Sequence, residues 1–153
     1  IFEAGLIVKS KVKSQKSKVN YYDRFRNRLM FPISDVYGNV VGFTGRILGE
    51  EIEGQGKYVN TPQTLVYDKS KVLYGLDRAK EAIRKQDLCI LVEGQMDVIA
   101  SHQAGVKNVV AVSGSSLTPP QINLIKRFTQ NIALAFDVDV AGSSATKLSL
   151  IHI

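Results

Sequence analysis

The sequence has one cysteine, Cys89, set in the middle of an apolar run. A disulfide framework and a cysteine-based zinc site are therefore both excluded. The two histidines, His102 and His152, have no partner at metal or triad spacing and read as structural side chains. No apolar run approaches the roughly 20 residues that a membrane-spanning helix requires. No signal-peptide pattern opens the chain, so the cytoplasm is the expected compartment and a membrane partner is not expected. Neither a Walker A pattern nor a G-x-G-x-x-G fingerprint occurs, and there are no internal repeats. What remains is 153 residues, 44% apolar and 22% charged. That is enough for one domain with a real core or for two small lobes sharing one.

Acidic residues are in the minority, and the imbalance is local. Of the 20 lysines and arginines, Lys9, Lys11, Lys13, Lys16, Lys18, Arg24, Arg26 and Arg28 fall between positions 9 and 28, opposed there only by Asp23. The net charge of +6 is thus concentrated in this stretch, and the rest of the chain is close to neutral. A basic arm beside an otherwise balanced domain suits a polyanion.

Taken in order, Phe2 to Ile7 reads as the end of an element begun earlier, and the chain as a fragment. Residues 9–20 lack periodicity and read as a loop. Arg28 to Val36 and Val40 to Leu48 flank Tyr37-Gly38-Asn39, which predicts a β-hairpin, with Pro32 placing its first strand at an edge or a bulge. A second exposed loop follows over Gly49 to Gly56, then a short extended piece, Lys57 to Pro62. From Leu76 the pattern changes, with Leu76, Ala79 and Ile83 at helical spacing. Strands then alternate with helices in a βαβ series. Leu88 to Val92 is a buried strand, and Gln95 to Ala104 a helix expected to bury Met96, Ile99 and Ala100. Asn108 to Val112 is a strand ending at Ser113 to Ser116. Thr118-Pro-Pro-Gln121 is a capping-box pattern opening a helix that buries Ile122, Ile125 and Phe128. A last strand over Ile132 to Phe136 leads to a helix over Ser143 to Leu150.

The chemistry concentrates where two of these strands end. Glu93 follows the run from Leu88 to Val92, Gly94 permits a tight turn, and Asp97 falls in the first turn of the next helix. Asp137 and Asp139 follow the second run, and residues two apart in extended chain point to one side. In open α/β sheets ligands bind beyond the carboxyl ends of the strands, where these four acids would gather. Hard oxygen ligands of this kind suit Mg²⁺ or Mn²⁺. Two such ions roughly 4 Å apart can serve phosphoryl transfer. An isolated E-G-x-x-D or D-x-D would more simply cap helices; the two together, each after an apolar strand of one βαβ series, favour metal.

Glu93-Gly-Gln-Met-Asp97 with Asp137-Val-Asp139 and Ala141-Gly142 resembles the Toprim signature shared by bacterial primases, type IA topoisomerases and certain nucleases. Upstream, the stretches Tyr22 to Ile33, Gly42 to Arg46, Lys57 to Pro62 and Leu73 to Leu76 are similar in order and spacing to the bacterial replicative DNA primases, in their central RNA-polymerase domain. The resemblance covers residues 2–148. It implies an α/β fold, a Toprim-type parallel βαβ sheet over 76–153 preceded by a small, mostly β basic subdomain over 1–75.

It further implies that Glu93, Asp137 and Asp139 bind Mg²⁺ or Mn²⁺ with Asp97 in a supporting catalytic role. Arg26, Arg28, Arg46, Lys57 and Lys69 would contact nucleic acid or nucleotide phosphates. The implied activity is nucleotidyl transfer, with synthesis of short RNA primers from ribonucleoside triphosphates on single-stranded DNA. A replicative helicase would be engaged through a region absent from this chain, and the fragment alone is expected to be weakly active or inactive. The alternatives are another Toprim enzyme, a topoisomerase or nuclease, and a non-catalytic single-strand-binding module that stacks bases on Tyr21, Tyr22 and Phe25.

Overall fold

The computed structural model describes residues 1–10, 20–49, 54, 56–112 and 117–136. Contacts divide the chain into two units, Ile1–Ile33 with Val40–Asp68, and Ser34–Asn39 with the described residues from Lys69 onward.

The first unit is all β. Strands β1 (Ile7–Lys9) and β2 (Tyr21–Asp23) pair antiparallel, Ile7 opposite Asp23 and Lys9 opposite Tyr21. This ribbon corrects the expectation of a loop starting at residue 9. Its strands are three residues each and largely exposed, too short to carry an alternation that a sequence could reveal. Most of the lysine-rich stretch, 11–19, lies outside the described residues.

Strands β3 (Arg28–Ser34), β4 (Val40–Ile47) and β5 (Tyr58–Asn60) form a sheet in the order β3-β4-β5. The expected hairpin is β3–β4. Pro32 lies on β3, an edge strand, where its missing N–H need not break a ladder. The turn, which belongs to the second unit, begins at Asp35, whose carboxylate accepts hydrogen bonds from the backbone N–H groups of Tyr37 (2.9 Å) and Asn39 (3.0 Å) and from Asn39 Nδ2 (3.0 Å). The core of this unit is small. Ile33 and Tyr67 are buried together with Thr44 and Thr61. Thr61 Oγ1 accepts from the Phe43 N–H at 2.8 Å and donates to the Phe43 carbonyl at 3.1 Å, so its burial leaves no polar atom unsatisfied.

In the second unit β6 (Cys89–Val92) lies between β7 (Val109–Ala111) and β8 (Ile132–Leu134), parallel to both. Cys89 and Leu91 point into one cluster with Leu76, Ala79 and Ile83 of α1 (Leu76–Gln86) and Ile122 and Ile125 of α3 (Pro119–Ile125). Ile90 and Val92 meet a second cluster with Val98 of α2 (Gln95–Gln103). Helices thus cover both faces, as a parallel sheet requires. Burial pushes the Cys89 thiol up to about 12, so it stays protonated and inert.

The faces of α1 and α3 are the expected ones, with Phe128, just past the end of α3, half-buried against the core. That of α2 is not. Val98 is its one buried residue, while Met96 and Ala100 are exposed. Polar and apolar residues are mixed around the helix, so periodicity does not select a face. Backbone contacts do, because Val98 Cγ1 would lie 2.8 Å from a Cβ at Gly75 (φ +81°), and His102 Nε2 bonds the Val109 carbonyl at 3.0 Å. His102 is therefore structural, as read from the sequence.

A 3₁₀ turn at Lys69–Lys71 is fastened to the start of α3. Gln121, 2% exposed, donates from Nε2 to the carbonyls of Lys69 (3.1 Å) and Val72 (2.9 Å), and its Oε1 accepts from the Thr118 N–H at 3.0 Å. Residues 113–116 and 137–153, with the helix expected over 143–150, lie outside the described residues. Among the described residues no helix is long and apolar enough to cross a membrane.

Replacing Gln121 by Ala should destabilise the protein by about 2 kcal/mol, since a buried side chain and its bonds to two part-buried carbonyls and the Thr118 N–H are lost, as read by urea unfolding at constant slope. A second expectation concerns Asp35. The Asn39 side-chain bond, opposed by partial burial and reinforced by the backbone N–H groups of Asn39, Tyr37 and Gly38, holds its carboxyl below the ordinary value of 3.8. A depressed pKa stabilises the fold above 3.8, and that contribution is lost as pH falls through the folded value. The stability difference between the native protein and Asp35→Ala should therefore hold constant at neutral pH and shrink on acidification below pH 3.8.

Candidate metal centre and nucleic-acid interface

Glu93 stands where β6 ends. The connection after β6 leads to α2 on one face of the sheet, and that after β7 leads to α3 on the other, the arrangement that opens a crevice at the carboxyl edge. Glu93 Oε1 is buried there without a hydrogen-bond partner. An acceptor removed from water and left unpaired loses about 1–3 kcal/mol unless a ligand or cation meets it.

Asp97 lies one helical turn on. Its Oδ2 accepts from the Gly94 N–H at 3.1 Å, which fastens the turn after β6 to the start of α2. A carboxylate in the first turn of a helix is also favoured by the helix dipole. This is the capping role left open by the sequence, and it fixes the direction in which the chain leaves Glu93.

Asp137 and Asp139 lie outside the described residues. The path to them is described as far as Phe136. The Ala135 N–H bonds the Leu91 carbonyl at 2.8 Å, which extends the β8 pairing to within two residues of Asp137. At the other end of β8, Asp87 accepts from Thr129 Oγ1 (2.8 Å) and Asn131 Nδ2 (2.9 Å), setting its register beside β6. Among the described residues no three His, Cys, Asp or Glu side chains gather as a metal-binding group. The donors that fit a hard divalent cation here are oxygen only, and the orphaned Oε1 of Glu93 is the observed atom that calls for one.

The basic residues group in the first unit. Arg24, Arg26, Asn27 and Arg28 line a cleft of about 500 Å³ with Ile47, Leu48, Gly54, Gly56 and Val59. Arg26 is exposed and lies over the Tyr22 ring, its guanidinium carbon 4.7 Å from the centroid. Arg24 Nε donates to the Gly5 carbonyl at 2.7 Å. Arg28 donates from Nη1 to the carbonyls of Gly45 (3.1 Å) and Lys57 (3.1 Å), and from Nη2 to that of Gly56 (2.9 Å). Arg46 sits opposite Tyr58 in the β4–β5 register, 5.8 Å from its ring. Lys57 is exposed at the start of β5. Lys69 belongs to the second unit, in the 3₁₀ turn held by Gln121.

The structure thus brings Arg26 and Arg28 to one cleft and sets Arg46 and Lys57 at the two ends of the β4–β5 connection. Arg24, part of the basic run but not singled out from it, joins them, and the Arg-x-Arg-x-Arg spacing was its signal. Of the proposed stacking residues, Tyr21 and Tyr22 are exposed, but Phe25 packs edge-on against Phe43, with ring centroids 6.4 Å apart.

Residues 2–80 match the family described as DNA primase catalytic core, N-terminal domain, and residues 87–149 match the Toprim domain. The DNA primase of Staphylococcus aureus (strain COL) is 47% identical over 146 residues, covering 95% of this chain and 23% of that protein. This chain therefore spans about a quarter of the length of such relatives. Among solved structures, a DNA primase domain from Pseudomonas aeruginosa aligns with a TM-score of 0.85 at 40% identity, over 97% of this chain and 44% of that one. A DnaG primase catalytic domain bound to single-stranded DNA aligns with a TM-score of 0.81 at 39% identity, over 95% and 43%. The parallel sheet with helices on both faces, the carboxylate at its edge and both family matches lead to one conclusion: this chain belongs to the DNA primase family and carries sequence of its catalytic core and Toprim domain.

Proposed function

We propose that this chain is part of a DNA-directed RNA polymerase that joins ribonucleoside triphosphates into short RNA primers on single-stranded DNA in the cytoplasm. The observation that carries the reading is the presence in one chain of both matches, a primase catalytic core over 2–80 and a Toprim domain over 87–149. A topoisomerase or nuclease reading accounts for the second match only. A purely single-strand-binding module leaves the buried, unpaired oxygen of Glu93 unexplained.

Residues 1–75 are the basic subdomain in this reading and 76–153 the Toprim domain. The reaction is attack by a primer 3′ hydroxyl on the α-phosphate of an incoming nucleotide with release of pyrophosphate. Arg26, Arg46, Lys57 and Lys69 bind the phosphates of template, primer or nucleotide, with arginine forks matching phosphate oxygens. Arg28, expected in the same group, has its guanidinium bonded to the Gly45, Gly56 and Lys57 carbonyls. Glu93, Asp137 and Asp139 would hold Mg²⁺ or Mn²⁺, which when bound would supply charge neutralisation for the transferring phosphoryl group. Asp97, bonded to Gly94, keeps the turn after β6 from shifting Glu93. The resemblance to a primase catalytic domain solved with single-stranded DNA supports a DNA template as partner. Contact with a replicative helicase is assigned to other parts of the protein.

The test is templated incorporation of labelled ribonucleotides by the intact protein with Mg²⁺ or Mn²⁺. Asp137→Asn together with Asp139→Asn should lower incorporation by about 100-fold or more, the scale of losing one electrostatic contact to a transition state. Mn²⁺ affinity measured by calorimetry should fall with it while the melting curve is unchanged, because asparagine keeps the size and polarity of aspartate and removes only its charge. Unchanged Mn²⁺ affinity would remove the metal assignment. Arg26→Ala should flatten the salt dependence of single-stranded DNA binding by about 0.7 in log–log slope, the counterion release of one phosphate contact.

A further inference from the structure

The guanidinium of Arg28 is turned toward backbone. Its Nη1 bridges the carbonyls of Gly45 and Lys57, each at 3.1 Å, and its Nη2 reaches that of Gly56 at 2.9 Å. The Lys57 carbonyl is shared, since it also accepts the Ile47 N–H at 3.0 Å. Three of the five guanidinium N–H groups thus converge on the two ends of one connection, the end of β4 and the start of β5.

Gly45 makes this possible. A Cβ there would lie 3.2 Å from both Cβ and Cδ of Arg28 and 2.9 Å from Cδ1 of Phe25, so the arginine stem crosses β4 only because that position has no side chain. Among the described residues of the connection are Gly49, Gly54 and Gly56, the first two at positive φ (86° and 81°), a region open to glycine. Arg46, half-buried, precedes the connection, and Lys57, which closes it, is exposed.

We infer that Arg28 is a positioning residue: its guanidinium clamps the Gly45, Gly56 and Lys57 carbonyls and so presents Lys57 to the nucleic-acid phosphates, rather than contacting phosphate itself. This rests on the reading of Lys57 as a phosphate contact. Lysine at position 28 keeps the charge but lacks the planar fork that spans three carbonyls.

The experiment measures binding of the intact protein to a fluorescein-labelled oligodeoxythymidylate across salt concentrations. Lys57→Ala alone tests the underlying reading and should flatten the log–log slope by about 0.7. Arg28→Lys should flatten it to the same degree although its charge is retained, and Arg28→Lys with Lys57→Ala should be no flatter than Lys57→Ala. Gly45→Ala, which displaces the arginine without altering charge, should behave as Arg28→Lys. A native slope in Arg28→Lys or Gly45→Ala, or an additive loss of about 1.4 in the double variant, overturns the proposal. Loss of cooperative melting in both Arg28→Lys and Gly45→Ala would make the arginine a folding element and also overturn it. An unchanged slope in Lys57→Ala removes the phosphate reading instead.

Discussion

The parallel pairing of β6 with a neighbour on each side is the constraint on which the second unit depends. Both faces of a strand in that position must be apolar, and Cys89, Ile90, Leu91 and Val92 supply them. The run can end only where the backbone emerges from between the helix layers. Glu93 is the first residue past that point, and the chain turns immediately at Gly94 into α2. A carboxylate is thus held at the end of the central strand, with one oxygen withdrawn from water. Rigid placement of charge is what electrostatic catalysis needs, since no reorganisation then accompanies the reaction.

The first unit is built on another principle. Its core is small, and its order comes from side chains that bond backbone: Thr61 to Phe43, Arg24 to Gly5, and Arg28 to three carbonyls. Two of these are arginines of the basic run. Charge of the basic run is therefore partly structural, and Arg26, over Tyr22, is the exposed arginine of the three. Basic residues on a sheet edge also discourage edge-to-edge pairing, which a small open sheet would otherwise invite.

Much of this was legible in the sequence where the pattern is long or chemically specific. The α1 stripe, the Thr118–Gln121 capping box and the apolar run of β6 each span enough residues for one reading to prevail. Three features were not legible. The β1–β2 ribbon is held by backbone bonds between residues with no alternating pattern. The buried face of α2 is chosen by a close approach to Gly75 and by His102, contacts that no periodicity encodes. The division of labour among arginines depends on which carbonyls lie within reach, a tertiary fact. Of the site, Glu93 and its turn fall where the strand pattern puts them, whereas Asp137 and Asp139 lie outside the described residues.

The central claim is that the carboxyl end of β6 is the cation-binding edge of a phosphoryl-transfer enzyme. Amide resonances followed by NMR during titration with substoichiometric Mn²⁺ test it directly, because paramagnetic broadening reports distance to the ion without requiring turnover. The account predicts that Glu93, Gly94 and Gln95 broaden first, while Leu88 and Asn131, at the amino ends of β6 and β8, broaden last. Broadening that spares Glu93 and Gly94, or that spreads evenly over the exposed acids of the chain, would contradict it.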